Sequence, residues 1–159
     1  MHKKQQITFG TNGIRGHANK HPFFQNTTIK LGKAIGQWGI EKFKKKQIKI
    51  LIGSDTRASS PIIKKNLISG LKNIQSIIFD GNILPTAAVA KILKQKKELD
   101  FGVVISASHN PYFDNGIKIF TAHNGNLSKE DEDHIVYYFN EKTNLKENDR
   151  SIVVKWENA

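Results

Sequence analysis

Four short apolar runs, at residues 48–52, 74–79, 103–105 and 117–120, alternate over most of the chain with segments of helical period. Runs of this length, rich in Ile and Val, read as buried strands. Before the first run, Thr27 or Thr28 is a candidate cap for a helix to about Lys44, with Ile29, Leu31, Ile35 and Trp38 on its apolar face. Three glycines in that helix, Gly32, Gly36 and Gly39, lower its propensity and permit close packing on a sheet. Ser60-Pro61 starts a second helix, and Thr86 to Lys96 forms a third. Ser128-Lys129-Glu130-Asp131 is a capping box for a fourth that runs to about Asn140. Residues 6–9 read as a short first strand, and residues 151–156 as a last strand or a tether. Asp80-Gly81-Asn82 and Asp114-Asn115-Gly116 read as turns, because Asn and Gly tolerate positive φ. Strands separated by helices predict a three-layer α/β/α domain on a mixed, mostly parallel sheet.

The strand at 103–105 runs into Ser106-Ala107-Ser108-His109-Asn110-Pro111. The residue before a proline is pushed out of the α region, so the chain cannot run from this strand straight into a helix, and a loop is expected at Asn110-Pro111. In open α/β sheets, ligands collect at the carboxyl ends of strands. Adjacent residues rarely aim at each other, so Ser108-His109 is a poor nucleophile–base pair, and the G-x-S-x-G elbow is missing. His109, Asn110 and Lys118 instead make a cationic, donor-rich setting that suits a phosphate on the serine oxygen. The competing reading is a polar turn whose Ser and Asn side chains bond their own backbone. Upstream, residues 10–16 hold three glycines and Arg15, whose planar fork suits phosphate. Asp55-Thr56-Arg57 follows the strand at 48–52. Its Asp and Arg either serve that edge or pair to hold their own loop.

SASHNP followed by DNGIK resembles the phosphoserine signature of the α-D-phosphohexomutases. FGTNGIRG at residues 9–16 resembles the family's N-terminal motif, and GSDTR at 53–57 its G-x-D-x-R segment. The three occur in the family's order, and their wording is most like the phosphoglucosamine mutase branch. Two departures are visible: Asn12 where many members carry Asp, and Ala87 where many carry a second proline. The resemblance implies that residues 1–145 form the phosphoserine-bearing first domain. Residues 146–159 would then be a C-terminal tether or the start of a next domain. It also implies that Ser108 carries the phosphoryl group, that His109 and Lys118 act with it in catalysis, and that Arg15, Asn110 and Arg57 bind substrate or phosphate. The family interconverts hexose 6-phosphates and 1-phosphates through a hexose bisphosphate. Its Mg²⁺ is held by an aspartate-rich D-x-D-G-D-R loop and by the serine phosphate, which here would be that of Ser108. No such loop occurs in these 159 residues, nor do the later sugar-recognition segments. The chain alone is therefore expected to be inactive as a mutase, the missing domains being partners in cis or in trans. A non-catalytic sugar-phosphate binding or assembly module is the alternative.

Net charge narrows the field less than its size suggests. The chain carries +11. Its lysines fall in small groups, Lys44-Lys45-Lys46 and Lys94 with Lys96-Lys97, where helix C-termini are expected and cations are favoured. No aromatic stacking pattern runs between them, so nucleic acid is not the expected partner. The absence of cysteine removes disulfides and thiolate metal sites. His2, His17, His21, His123 and His134 read as surface residues with no metal-ligand spacing. Without a secretory leader or an apolar run of membrane-spanning length, a cytoplasmic protein with no membrane partner is expected.

Overall fold

The structure, a computed structural model, describes residues 6–123, 125–141 and 151–156. The element order is β1 (Ile14–His17), α1 (Gln25–Phe43), β2 (Ile48–Ser54), α2 (Ser60–Leu71), β3 (Ser76–Ile83), α3 (Thr86–Gln95), β4 (Phe101–Ile105), β5 (Asp114–Thr121), β6 (Gly125–Asn126), α4 (Lys129–Asn140) and β7 (Ile152–Lys155). The strands form one sheet in the order β1-β5-β4-β2-β3-β7, with β6 also paired to β5. The pairs β4–β2, β2–β3 and β3–β7 are parallel, and every pair involving β5 is antiparallel. β5 alone therefore runs against the rest. The expected mixed, mostly parallel sheet is what forms.

Side-chain alternation along the central strands explains the three layers. Ile50 and Ile52 of β2 and Phe101, Val103 and Ile105 of β4 face one core with Leu31, Ile35 and Trp38 of α1, Leu67 and Leu71 of α2 and Ile135 and Phe139 of α4. Their odd-register neighbours Leu51 and Val104 face a smaller core with Val89 and Leu93 of α3. A strand read from both faces as apolar is what a doubly covered sheet requires. α1 and α2 approach closely: a Cβ on Gly32 would lie 2.3 Å from the Leu67 carbonyl oxygen, and one on Gly70 would lie 2.0 Å from that of Ile29. Of the helix glycines, Gly32 thus serves the α1–α2 contact. Gly36 packs on Ile74, and Gly39 on Phe101 and Ile48.

Several boundaries differ from the sequence reading. The first strand is Ile14–His17; residues 6–9 are not strand, although Ile7 is buried. α1 begins at Gln25 after Phe24, with no side-chain cap. Thr28 lies inside the helix, buried, and its hydroxyl donates to the Pro22 carbonyl at 3.4 Å. Asp80-Gly81-Asn82 stays in β3 and Asp114-Asn115-Gly116 opens β5. The turn before β5 lies at residues 111–114, closed by the Asp114 N–H to the Pro111 carbonyl at 3.0 Å. Ser128 caps α4 as expected, accepting the Asp131 N–H at 3.2 Å. His17 and His21 are half-buried rather than free on the surface: His17 stacks on Phe113, and His21 Nε2 bonds the Gln6 carbonyl at 2.7 Å. The boundary expected at 145/146 lies outside the described residues. Beyond it, β7 joins the sheet as an edge strand beside β3.

Candidate functional site

β2 and β4 are parallel neighbours, so their carboxyl ends open on the same edge of the sheet. Two loops leave there: residues 55–59 toward α2, and residues 106–113 toward β5. The reversal of β5 brings a third group to that edge. Its register pairs Lys118 with Val104 and Gly116 with Arg15 of β1. Directly paired residues share a face, and alternate residues on a strand do too. Arg15 and Lys118 therefore project from one face of the sheet, while Ile14, Ile117 and Ile119 enter the large core on the other. Gly13 makes the turn into β1 possible. Its φ is +90°, and a Cβ there would lie 2.3 Å from the Ile117 carbonyl oxygen.

The centre of the site is a short contact. Lys118 Nζ lies 2.6 Å from Ser108 Oγ. Lys118 is only 8% exposed. Burial and then the Arg15 charge push its ammonium below the ordinary value, against a smaller opposite pull from Asp55. Ser108 itself is exposed and holds a φ of 55°. This left-handed conformation costs a non-glycine residue about 1–2 kcal/mol. His109 lies exposed next to it. Asn110 accepts from Arg15 Nη1 at 3.0 Å and donates to Asp114 Oδ2 at 3.2 Å. Arg15 Nε is buried and has no partner among the described residues. Its guanidinium thus stands beside the loop with a donor to spare.

Arg57 spends its fork differently from the phosphate-binding reading. Nε donates to Asp55 Oδ2 at 3.0 Å. Nη1 donates to the carbonyls of Pro111 (2.6 Å) and Asp114 (3.1 Å), and Nη2 to those of Ser108 and Asn110 (both 2.9 Å). Each N–H of the guanidinium is then committed, none of them to the open side of the loop. Of the two sequence readings of the Asp55–Arg57 pair, this geometry is that of the loop holder. Burial alone would raise the Asp55 carboxyl, but hydrogen bonds from the Arg57 backbone, Ser60, Ser106 and the Arg57 side chain hold it below the ordinary range.

Two residues of the site were not singled out from sequence for what they do. Asn115 is fully buried and donates to Ser59 Oγ at 2.8 Å and Ser60 Oγ at 3.0 Å, which fastens the start of β5 to the start of α2. Ser106, 7% exposed, accepts the Ser108 N–H at 3.0 Å. Asn115 gave no separate signal because Asn-Gly after Asp reads as a turn. Ser106 carried one in its i,i+2 spacing to Ser108, which is that of a side chain bonding the backbone two residues on. As for metals, among the described residues there is no group of three or more His, Asp or Glu side chains able to hold an ion. The nearest charged neighbour of Ser108 Oγ is an ammonium. The donor set present does not fit a Mg²⁺ site by itself.

Comparison with known proteins identifies the family of the chain. The family model described as "Phosphoglucomutase/phosphomannomutase, alpha/beta/alpha domain I" matches residues 6–146. A phosphoglucosamine mutase of Nautilia profundicola is 43% identical over 141 residues, which cover 87% of this chain and 30% of that protein. One from Koribacter versatilis is 38% identical over 135 residues, covering 85% and 28%. The chain thus spans less than a third of the length of these curated relatives. A putative phosphomannomutase from Thermus thermophilus superposes with a TM-score of 0.74 at 24% identity, over 96% of this chain and 33% of that one. A phosphoglucomutase/phosphomannomutase family protein from Burkholderia thailandensis gives 0.73 at 18%, over 94% and 32%. At these identities the two structures speak for the fold. Among the described residues, no helix is long and apolar enough to cross a membrane.

Proposed function

Since the chain belongs to the phosphoglucomutase/phosphomannomutase family and spans its α/β/α domain I, we propose that it is the phosphoserine-bearing part of a hexose-phosphate mutase. Glucosamine phosphate is the preferred substrate, as the names of its relatives suggest. The observation that carries this reading is the 2.6 Å approach of Lys118 Nζ to Ser108 Oγ. Ser108 Oγ attacks one phosphorus of a hexose bisphosphate; the new O–P bond forms as the bond from phosphorus to the sugar oxygen breaks, and that oxygen takes a proton from water to leave as the sugar hydroxyl. The hydroxyl proton passes to Lys118 Nζ, which burial beside Arg15 makes easier to hold as the free amine than an ordinary lysine. In the reverse direction the ammonium returns that proton to Oγ as the phosphoryl group leaves. Phosphate on Ser108 then pairs with Lys118 as ammonium, and Arg15, Asn110 and His109 supply further donors at the rim.

Mg²⁺ would neutralise charge on the transferring group when bound, but its other ligands would have to come from outside this chain. Residues supplied by the rest of the relatives' length would hold the sugar, in cis or in trans. Incubation with glucose 1,6-bisphosphate followed by mass spectrometry tests the reading. Phosphate is expected on Ser108, none after Ser108→Ala, and the isolated chain is expected to show negligible conversion of glucosamine phosphates. Phosphate on Ser106 or on Ser59-Ser60 overturns the assignment of the carrier. A chain that binds hexose phosphate yet never takes up phosphoryl would favour a non-catalytic binding module.

A further inference from the structure

Ser106 takes no part in the transfer chemistry above, yet its hydroxyl sits at a junction. It accepts the Ser108 N–H at 3.0 Å. Asp55 accepts Arg57 Nε at 3.0 Å, and Arg57 Nη2 donates to the Ser108 carbonyl at 2.9 Å. These contacts grip Ser108 from both sides. The backbone N–H and C=O of Ser108 are each held by a side chain, Ser106 at one end and Arg57, braced by Asp55, at the other. Ser60 Oγ and the Arg57 N–H bond the other carboxylate oxygen, at 2.8 and 3.0 Å, and fix its orientation.

Ser108 needs such a frame. Its φ of 55° lies where serine does not rest unless its surroundings impose it. The side chain leaves the backbone from that conformation to reach Lys118 Nζ. We propose that Ser106 and Asp55 are positioning residues for phosphoryl transfer, holding Ser108 left-handed, Ser106 directly at its N–H and Asp55 through Arg57 at its C=O, so that Oγ stays against Lys118. The proposal rests on Ser108 being the carrier. Alanine at position 106 leaves the Ser108 N–H without its acceptor, and the residue relaxes toward negative φ, which swings Oγ away. Threonine keeps the hydroxyl that accepts the Ser108 N–H.

The test compares wild type, Ser106→Ala, Ser106→Thr and Asp55→Asn by two readouts. One is amide hydrogen exchange of Ser108 by NMR; the other is the rate of phosphate loading from glucose 1,6-bisphosphate. In Ser106→Ala and Asp55→Asn, Ser108 should exchange faster and load more slowly, each by about tenfold or more, the scale of one lost hydrogen bond. In Ser106→Ala the thermal midpoint should stay near wild type, and Ser106→Thr should restore both rates. Unchanged exchange and loading in Ser106→Ala overturn the proposal. So does a loss that Thr does not rescue and that tracks the thermal midpoint, since that is a merely structural role. Wild type that takes up no phosphate on Ser108 overturns the carrier reading, and the transfer half of the proposal falls with it. The exchange readout still decides whether these two contacts hold Ser108.

Discussion

Replacing Arg57 with lysine keeps a positive charge beside Asp55 and removes the planar fork. In the structure that fork bonds Asp55 and the carbonyls of Ser108, Asn110, Pro111 and Asp114, with the side chain 11% exposed. A lysine ammonium has fewer donors and radiates them from a point, so it cannot span Asp55 and both ends of the loop. Two unreplaced charge-assisted bonds at about 1.5 kcal/mol each give a loss of about 3 kcal/mol. That is the low end of the roughly 3–5 kcal/mol expected when a buried ion pair loses a partner, which is reasonable because the charge remains. Urea denaturation followed by Trp fluorescence measures it. With a slope of about 2 kcal/mol per molar, the midpoint should fall by about 1.5 M. A midpoint within about 0.25 M of wild type, equivalent to the roughly 0.5 kcal/mol of an ordinary surface change, refutes the clamp. Were phosphate loading lost at the same time with stability intact, Arg57 would belong to the substrate after all.

Gly70→Ala should destabilise the domain by about 2 kcal/mol or more, because its Cβ would lie 2.0 Å from the Ile29 carbonyl and the α1–α2 contact must open; a thermal melt reads this. Asp131 is buried, which raises its carboxyl, but bonds from Trp38, Lys42 and Ser128 outweigh this and hold it below the ordinary 3.8. Its stabilisation is thus full above that value and is lost as pH falls through the lower folded one, so Asp131→Asn should be less stable at neutral pH and show a flatter acid limb in urea titrations below pH ~4. Lys118→Met should abolish phosphate loading while leaving the thermal midpoint equal or higher. The lowered Lys118 value means that wild type gains stability as pH rises from the folded value toward 10.5, a gain the variant should lack.

Those variants separate what holds the fold from what the edge of the sheet does, and the sequence was legible to different depths in the two. Runs such as residues 48–52 and 103–105 announce strands because both faces are covered, so apolar residues fill every position and no periodicity is needed. Boundaries at polar residues were less legible. Asp114-Asn115-Gly116 has the composition of a turn, yet Asn115 is buried and its amide is taken up by Ser59 and Ser60, 55 or more residues away. A long-range hydrogen bond overrides local propensity, and nothing in the neighbouring sequence records it. The same holds for the first strand: Arg15 and Gly16 extend because β5 offers them an edge, not because residues 14–17 are strongly β-forming.

The site divides in the same way. Ser108 and Lys118 were legible because each stands in a dense local motif, and the contact between them follows from one reversal of chain direction. For Arg57 the sequence leaves two roles open. An arginine at the carboxyl end of a strand faces either ligand or loop, and the choice depends on whether carbonyls from residues 108–114 lie within its reach. They do here: Arg57 reaches the carbonyls of Ser108, Asn110, Pro111 and Asp114. The cation-rich edge is therefore two systems rather than one. Arg57 is consumed in shaping the loop, while Lys118 and Arg15 keep charge in excess around Ser108 Oγ. A phosphoryl group arriving there would meet the excess and leave the clamp intact, so loading Ser108 should require no rearrangement of Arg57.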